Sequence, residues 1–455
     1  MPDGDAGGEI LSLRGDFPPV PTAAWEAAIA KDLKGADYDK KLVWRTEAGL
    51  VIRPYYRQEA LAALGAQLNA RRAARGWEIA QDGEPGPQAI RGDLLHEAGA
   101  HGIQELGYAM AAAVERLASD PGVPEIEFVF AAGPSYFIEI AKFRAARLLW
   151  AQVTRAFGCQ CGMRVQVRTP RRNKSAYDRY TNLLRATTEA MAAVIGGCDS
   201  LSVDPFGFDS HLAVNLQRIL REESHLDAVA DPAGGSYFIE ALTDFQAREA
   251  WKLLQKVEAE GGYAAAAAAG AIDKALAETR AARAKAFSSR RRSLVGINNY
   301  PNLMEKTPEF TVPDGALRIA APFEAIRRRT NDHAQAAGRY PKALLLTRGD
   351  VKMRGARANF SLNFLGCAGF DIVESDTYEG SDADLIVLCS SDAEYLALAR
   401  EVCPRVKVPV IVAGNPKEQI AALRAAGVEG FIHIQSDIIQ TLAEWQDKLG
   451  MRRSQ

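Results

Sequence analysis

Nowhere in this chain does an apolar run approach the ~20 residues that a membrane helix needs. The opening stretch, "MPDGDAGGEILSLRGDF", is polar, acidic and Gly-rich. It lacks the basic flank and apolar core of a secretory signal, and the Arg-rich, acid-poor composition of a transit peptide. The cytoplasm is therefore the expected compartment. Charge of one sign is also lacking. With 55 Lys and Arg against 57 Asp and Glu, the net charge is −2, which gives no electrostatic case for a nucleic acid or an anionic membrane as partner. Cysteine is sparse, with six in 455 residues at positions 159, 161, 198, 367, 389 and 403. Cys159 and Cys161 are close in sequence, but C-x-C by itself is not a zinc pattern. Reduced, buried thiols are expected, and no metal site.

What the chain does contain is strand-helix alternation. Its length predicts two or three domains. Before residue 75, "PTAAWEAAIAKDLKGADYDKKLVWRTEAGLVIRPYY" predicts a helix with Thr22 as N-cap, two strands around "EAG", and a polar helix running to Ala74. From about Ala89 to Glu305, strand candidates "EIEFVFAAG", "MRVQVRT" and "SLSVDPF" alternate with long helical patterns. These include "GIQELGYAMAAAVERLAS", "PSYFIEIAKFRAARLLWAQVTRAFG" and "LTDFQAREAWKLLQKVEAEGG". Such alternation predicts a parallel α/β structure with helices outside. Residues 306–340, with prolines and the polar helix "FEAIRRRTNDHAQAAGRY", read as a connector.

From Pro341 the pattern becomes regular. "KALLLTRG", "FDIVES", "DLIVLCS", "VPVIVAG" and "EGFIHI" are five short strands separated by helices. This predicts a small doubly wound domain of flavodoxin-like order. Ligands on such sheets bind outside the carboxyl ends of the strands, which places Thr347–Gly355, Ser390–Asp392 and Gly414–Pro416 at the ligand edge.

The loop after the first of these strands reads "GDVKMRG", and here the chain resembles the cobalamin-dependent acyl-CoA mutases, the methylmalonyl-CoA mutase family in particular. Further stretches carry the likeness: "HEAGAHGIQELGYAMA" (96–111), "YFIEIAKFRAARLLW" (136–150), "DPAGGSYFIEALT" (231–243) and "RRRSLVGINNYPN" (290–302). The resemblance covers most of residues 40–450. It implies a (β/α) barrel-like domain followed by a flavodoxin-like, cobalamin-binding-type domain. The implied boundaries are 1–45 for an N-terminal arm, 46–305 for a shortened barrel-like domain, 306–340 for the connector and 341–455 for the last domain.

Against that family pattern the chain has three departures. Catalytic members carry D-x-H-x-x-G, whose His is the lower cobalt ligand and whose Asp orients it from behind. The matching residues here are Asp350, Lys352 and Gly355, with the second glycine loop reduced to Ala413-Gly414. Lysine is an ammonium near neutrality and has no lone pair for a metal. Asp350 is then expected to pair with Lys352 or Arg354. Second, a histidine that contacts the substrate thioester in catalytic members is matched by Leu94, and another by Ser202. His96, two places beyond Leu94, is expected to be structural. Third, "GWEIAQ" (76–81) is followed by the short "DGEPGPQA" where the family holds a long substrate-clamping stretch, so about half of an eight-stranded barrel is missing. Of the retained residues, Lys142, Arg144 and Arg147 are read as scaffold rather than phosphate ligands, and Gly234-Gly235 as a tight turn.

The resemblance thus implies a non-catalytic small subunit, in a short form, of a heterodimeric mutase that interconverts (R)-methylmalonyl-CoA and succinyl-CoA. Adenosylcobalamin would be held by the catalytic large subunit, with no cofactor and no catalytic residue on this chain. The arm around Trp25 is the candidate partner-wrapping segment. Two alternatives are a self-sufficient acyl-CoA mutase, and a corrinoid-binding module that retains a ligand at Gly355 and Gly414.

Overall fold

A computed structural model describes residues 15, 17–62, 76–80, 84–308, 310–312 and 317–452. The chain divides into two compact units, Met1–Arg57 and Gln58–Gln455.

The first unit runs past residue 45 through a hairpin of β1 (Trp44–Arg45) and β2 (Val51–Ile52), antiparallel as expected from the two strands around "EAG". Its helix, Thr22–Asp32, is capped at Pro21 rather than Thr22, and it contains no buried residue. Trp25 lies 5.1 Å from the Tyr55 ring, the Arg57 guanidinium stands 5.1 Å from the Trp25 ring, and 44% of Trp25 remains exposed. The continuation to Ala74 of the predicted polar helix lies outside the described residues; its start is the helix Gln58–Ala62.

In the second unit the first sheet is built from β3 (Glu78–Ile79), β4 (Ile90–Arg91), β5 (Glu125–Ala131), β6 (Gly162–Arg168) and β7 (Ser200–Ser202). All pairs are parallel, in the order β3-β7-β6-β5-β4. The two edge strands are consecutive in the chain. Ahead of β4, the Gly86 N–H donates to Glu127 at 3.0 Å.

Register gives this sheet two unlike faces. Ile79, Ile90, Ile126, Phe128, Phe130, Met163, Val165, Val167 and Leu201 fall on one. This face meets the helices, with Phe128 edge-on to Trp150 of helix Tyr136–Phe157 at 5.1 Å. On the other face stand Glu78, Arg91, Glu127, Val129, Ala131, Arg164, Gln166, Arg168, Ser200 and Ser202. Arg164 pairs there with Glu78 at 2.6 Å and approaches Glu127 at 3.8 Å. Strands buried on both sides usually read apolar throughout; here polar residues alternate in, yet Gln166, Ser200 and Ser202 are buried, so the centre of this face is covered too.

The predicted helices Gly102–Ser119 and Tyr136–Phe157 form as expected, and a further helix spans Arg179–Ile195. Helix Tyr237–Ala259 starts five residues before Leu242, because Ser236 caps it by accepting from the Ile239 N–H. Close helix packing depends on Gly107, where a Cβ would collide with Leu253.

The second sheet comprises β8 (Lys342–Thr347), β9 (Asp371–Ser375), β10 (Leu385–Cys389), β11 (Val410–Ala413) and β12 (Gly430–Ile432). Its order, β12-β11-β10-β8-β9, all parallel, is the flavodoxin-like one. The segment read as a connector proves to be core. Helix Ala321–Ala337 buries Phe323, Ile326 and Ala334, and also Glu324, Arg327 and Arg329. Phe323 and Ile326 join one apolar cluster that runs from Tyr177, Phe287 and Ile297 to Leu345, Phe364 and Trp445. The helix looked polar because its buried charges are paired: Arg318 with Glu324 at 2.6 Å, and Arg329 with Asp447.

Candidate functional site

At the carboxyl edge of the second sheet, β8 ends at Thr347 and Gly349 turns the chain at φ +79° into helix Val351–Gly366. Asp350 caps that helix, with Oδ1 accepting from the Met353 N–H at 2.8 Å. This corrects the expected pairing with Lys352 or Arg354: the carboxylate is used by the backbone instead, a common role for Asp at this position. Lys352 is exposed in the first turn. Gly355 lies inside the helix, and a Cβ there would meet no atom within 4 Å, so no neighbour requires glycine. Gly414 follows β11. A Cβ there would sit 3.4 Å from Arg357 Cζ and from Tyr395 Cε2.

Asp350, Lys352 and Gly355 therefore share the start of one helix, while Gly414 lies across the edge with Arg357 between. Sequence reasoning missed the residues that fill this edge. Arg357 pairs with Asp392 at 3.0 Å. The Tyr395 hydroxyl donates to the Ala413 carbonyl at 2.6 Å, and burial pushes the phenol upward. A cobalt site fits these residues poorly. The position of the family's imidazole carries an ammonium, and the carboxylate that would orient an imidazole is engaged in capping. Among the described residues no cluster of three or more His, Cys, Asp or Glu could hold a metal ion. Cys161, Cys198, Cys367 and Cys389 are buried and free, as expected; Cys159 and Cys403 are half-buried.

The carboxyl edge of the first sheet holds a second set of polar residues. Leu94 is 54% exposed, and Ser202 is buried at the end of β7. His96 is buried, and its Nδ1 lies 3.0 Å from Glu105 Oε2. Lys142 Nζ reaches Glu105 Oε2 at 2.8 Å, Glu139 Oε2 at 2.6 Å and the Ala131 carbonyl at 2.5 Å. The Ala131 N–H donates to Glu105 Oε1 at 2.8 Å. β4 runs alongside β5 only at Phe128 and Val129. Glu105 and Lys142 thus satisfy the end of β5, where buried backbone groups require partners.

Burial pulls the Lys142 ammonium down, but Glu105 and Glu139 outweigh it and the net shift is upward. Burial raises Glu105, partly opposed by Lys142. Burial, then Arg172 and Lys142, hold His96 well below its usual range, so it is neutral. The expectation of a structural His96 agrees with this packing. The basic residues of the same helix are internal too. Arg144 binds Asp231 and Glu240, and Arg147 binds Asp199 at 3.0 Å and the Gly197 carbonyl at 2.6 Å. Gly235, at φ +84°, makes the tight turn, and its N–H donates to Glu240.

Taken together, the fold defines an α/β protein of two parallel five-stranded sheets, each with its polar loops gathered at the carboxyl edge. Residues 84–339 match the family model described as methylmalonyl-CoA mutase. The chain belongs to the methylmalonyl-CoA mutase family. It is 38% identical over 406 residues to the methylmalonyl-CoA mutase small subunit of Porphyromonas gingivalis, covering 79% of this chain and 65% of that one. To the small subunit of Streptomyces virginiae it is 32% identical over 408 residues, covering 81% and 65%. To the methylmalonyl-CoA mutase of Escherichia coli it is 31% identical over 272 residues, covering 55% and 38%. The chain thus spans 65% of the length of the two small subunits. No helix among the described residues is long and apolar enough to cross a membrane.

Proposed function

We propose that this chain is the small subunit of a heterodimeric, cytoplasmic, adenosylcobalamin-dependent methylmalonyl-CoA mutase. It supports a catalytic large subunit and contributes no reacting group. The reaction of the pair is interconversion of (R)-methylmalonyl-CoA and succinyl-CoA, with the corrinoid on the partner. The observation that carries this reading is the use of Asp350 as a helix cap beside an exposed Lys352. An ammonium cannot replace an imidazole beneath cobalt. The exposed Leu94 and the neutral, buried His96 support the same reading, since neither presents a donor to a thioester.

The first sheet is read as five strands of an eight-stranded barrel, left open between β3 and β4. The arm is read as a partner surface, since its helix buries nothing of its own while Trp25 and Trp44 remain exposed.

Co-expression with a catalytic large subunit of the family tests the proposal. Co-purification is expected, with corrinoid absorbance and turnover of (R)-methylmalonyl-CoA in the pair and neither in this chain alone. Stoichiometric adenosylcobalamin on the isolated chain, with turnover, would overturn it.

A further inference from the structure

The ligand crevice of a doubly wound sheet opens at its switch point, which here lies between the adjacent strands β8 and β10. In this chain Glu394 spans that mouth. Its Oε2 accepts from the Ser390 hydroxyl at 2.7 Å, the Ser391 hydroxyl at 2.6 Å, the Ser391 N–H at 3.3 Å and the Asp350 N–H at 3.2 Å. Three of these donors follow β10 and the fourth follows β8. The fit on the β8 side depends on Gly349, where a Cβ would run into the Glu394 carboxylate. The hydroxyls of Ser391 and Ser390, with the Asp350 N–H, hold the carboxyl down to about 2. Beside it, Arg357 ties to Asp392 over Gly414, and Gln419 donates to the Asp392 carbonyl at 3.0 Å. The loops after β8, β10 and β11 are stitched together by the chain's own side chains.

We propose that Glu394 is a built-in latch: an internal carboxylate that occupies the donors an anionic headgroup would use and fastens the β10 loop to the β8 loop, closing the crevice. The inference does not depend on pairing with a large subunit. A carboxylate four residues from Ser390 is presented at an effective concentration on the order of mM or higher, so a free anion at ordinary concentration does not displace it.

Two readouts on the full chain test the latch. In Glu394→Asp the side chain is one methylene shorter and withdraws from the Asp350 N–H. Hydrogen exchange of the peptide 347–353, followed by mass spectrometry, should then rise at least tenfold over the unaltered protein. In Glu394→Ala the donors are vacated, and inorganic phosphate, titrated against chloride at matched ionic strength, should bind saturably. The unaltered protein should take up none. Adding Ser390→Ala and Ser391→Ala to that variant should abolish the uptake. Both readouts are required. Unchanged exchange in Glu394→Asp overturns the latch, as does phosphate uptake that is absent from Glu394→Ala, equal in the unaltered protein, or indifferent to the serines.

Discussion

Lys142 and Glu105 meet at 2.8 Å with both side chains wholly shielded from water. Such a pair gains little over apolar packing, but removing one member leaves an uncompensated buried charge. Lys142→Met strands Glu105 and Glu139 together and should cost ~3–5 kcal/mol, read from the urea midpoint. Lys252→Met provides the contrast. Its pair with Glu249 is exposed, 69% on the lysine side, and its loss should shift stability by no more than ~1 kcal/mol.

The neutral His96 sets a pH dependence. Its folded value lies well below the ordinary one of 6.5, so below that pH the unfolded chain binds the proton first. Stability from this group is fully present above 6.5 and is lost as pH falls toward the folded value. Glu105 runs the other way: its folded value is raised, and its contribution is present below 4.5 and lost as pH rises from there. Comparison with His96→Gln isolates the histidine. Between pH 7 and 5 the unaltered protein should lose stability more steeply than the variant, by at most ~1.4 kcal/mol per pH unit. Urea titrations at each pH give the two slopes; equal slopes count against a neutral His96.

Asp350→Ala removes the side-chain cap from helix Val351–Gly366 and should destabilise the protein by ~1 kcal/mol. Lys352→Ala, two residues on in the first turn and exposed, should stay within about 0.5 kcal/mol. Chemical denaturation of both variants tests whether this loop acts as a helix start rather than as a ligand site.

Lys352→His restores the family's imidazole but not its surroundings. Asp350 still caps, and Arg357 with Asp392 still lies over Gly414. The variant should show no corrinoid absorbance after incubation with adenosylcobalamin and gel filtration. Uptake from this single change would place the whole barrier in one side chain.

The five strands of the C-terminal sheet were legible as short apolar runs between turns, and the inner ones most clearly, because fully buried parallel strands have that composition. Leu385–Cys389, buried throughout, is the plainest case. The role of helix Ala321–Ala337 was not legible. Arg327, Arg329 and Glu324 look solvent-facing until distant partners are known, and Arg318 and Asp447 come from other segments. Lys352 stood out as a substitution within a motif, but the use of Asp350 depended on where the helix begins. Glu394 was overlooked although Ser390 and Ser391 precede it by four and three residues, a spacing that lets a side chain fold back on the hydroxyls. The cluster of His96, Glu105 and Lys142 is assembled from three helices, and no local pattern announces it.

The brevity of β3 and β4 bears on how this sheet tolerates having free margins. Each margin is two residues of strand with Glu78 or Arg91 on it. Short, charged margins discourage recruitment of foreign strands. A sheet edged in this way can keep two unpaired margins without inviting aggregation.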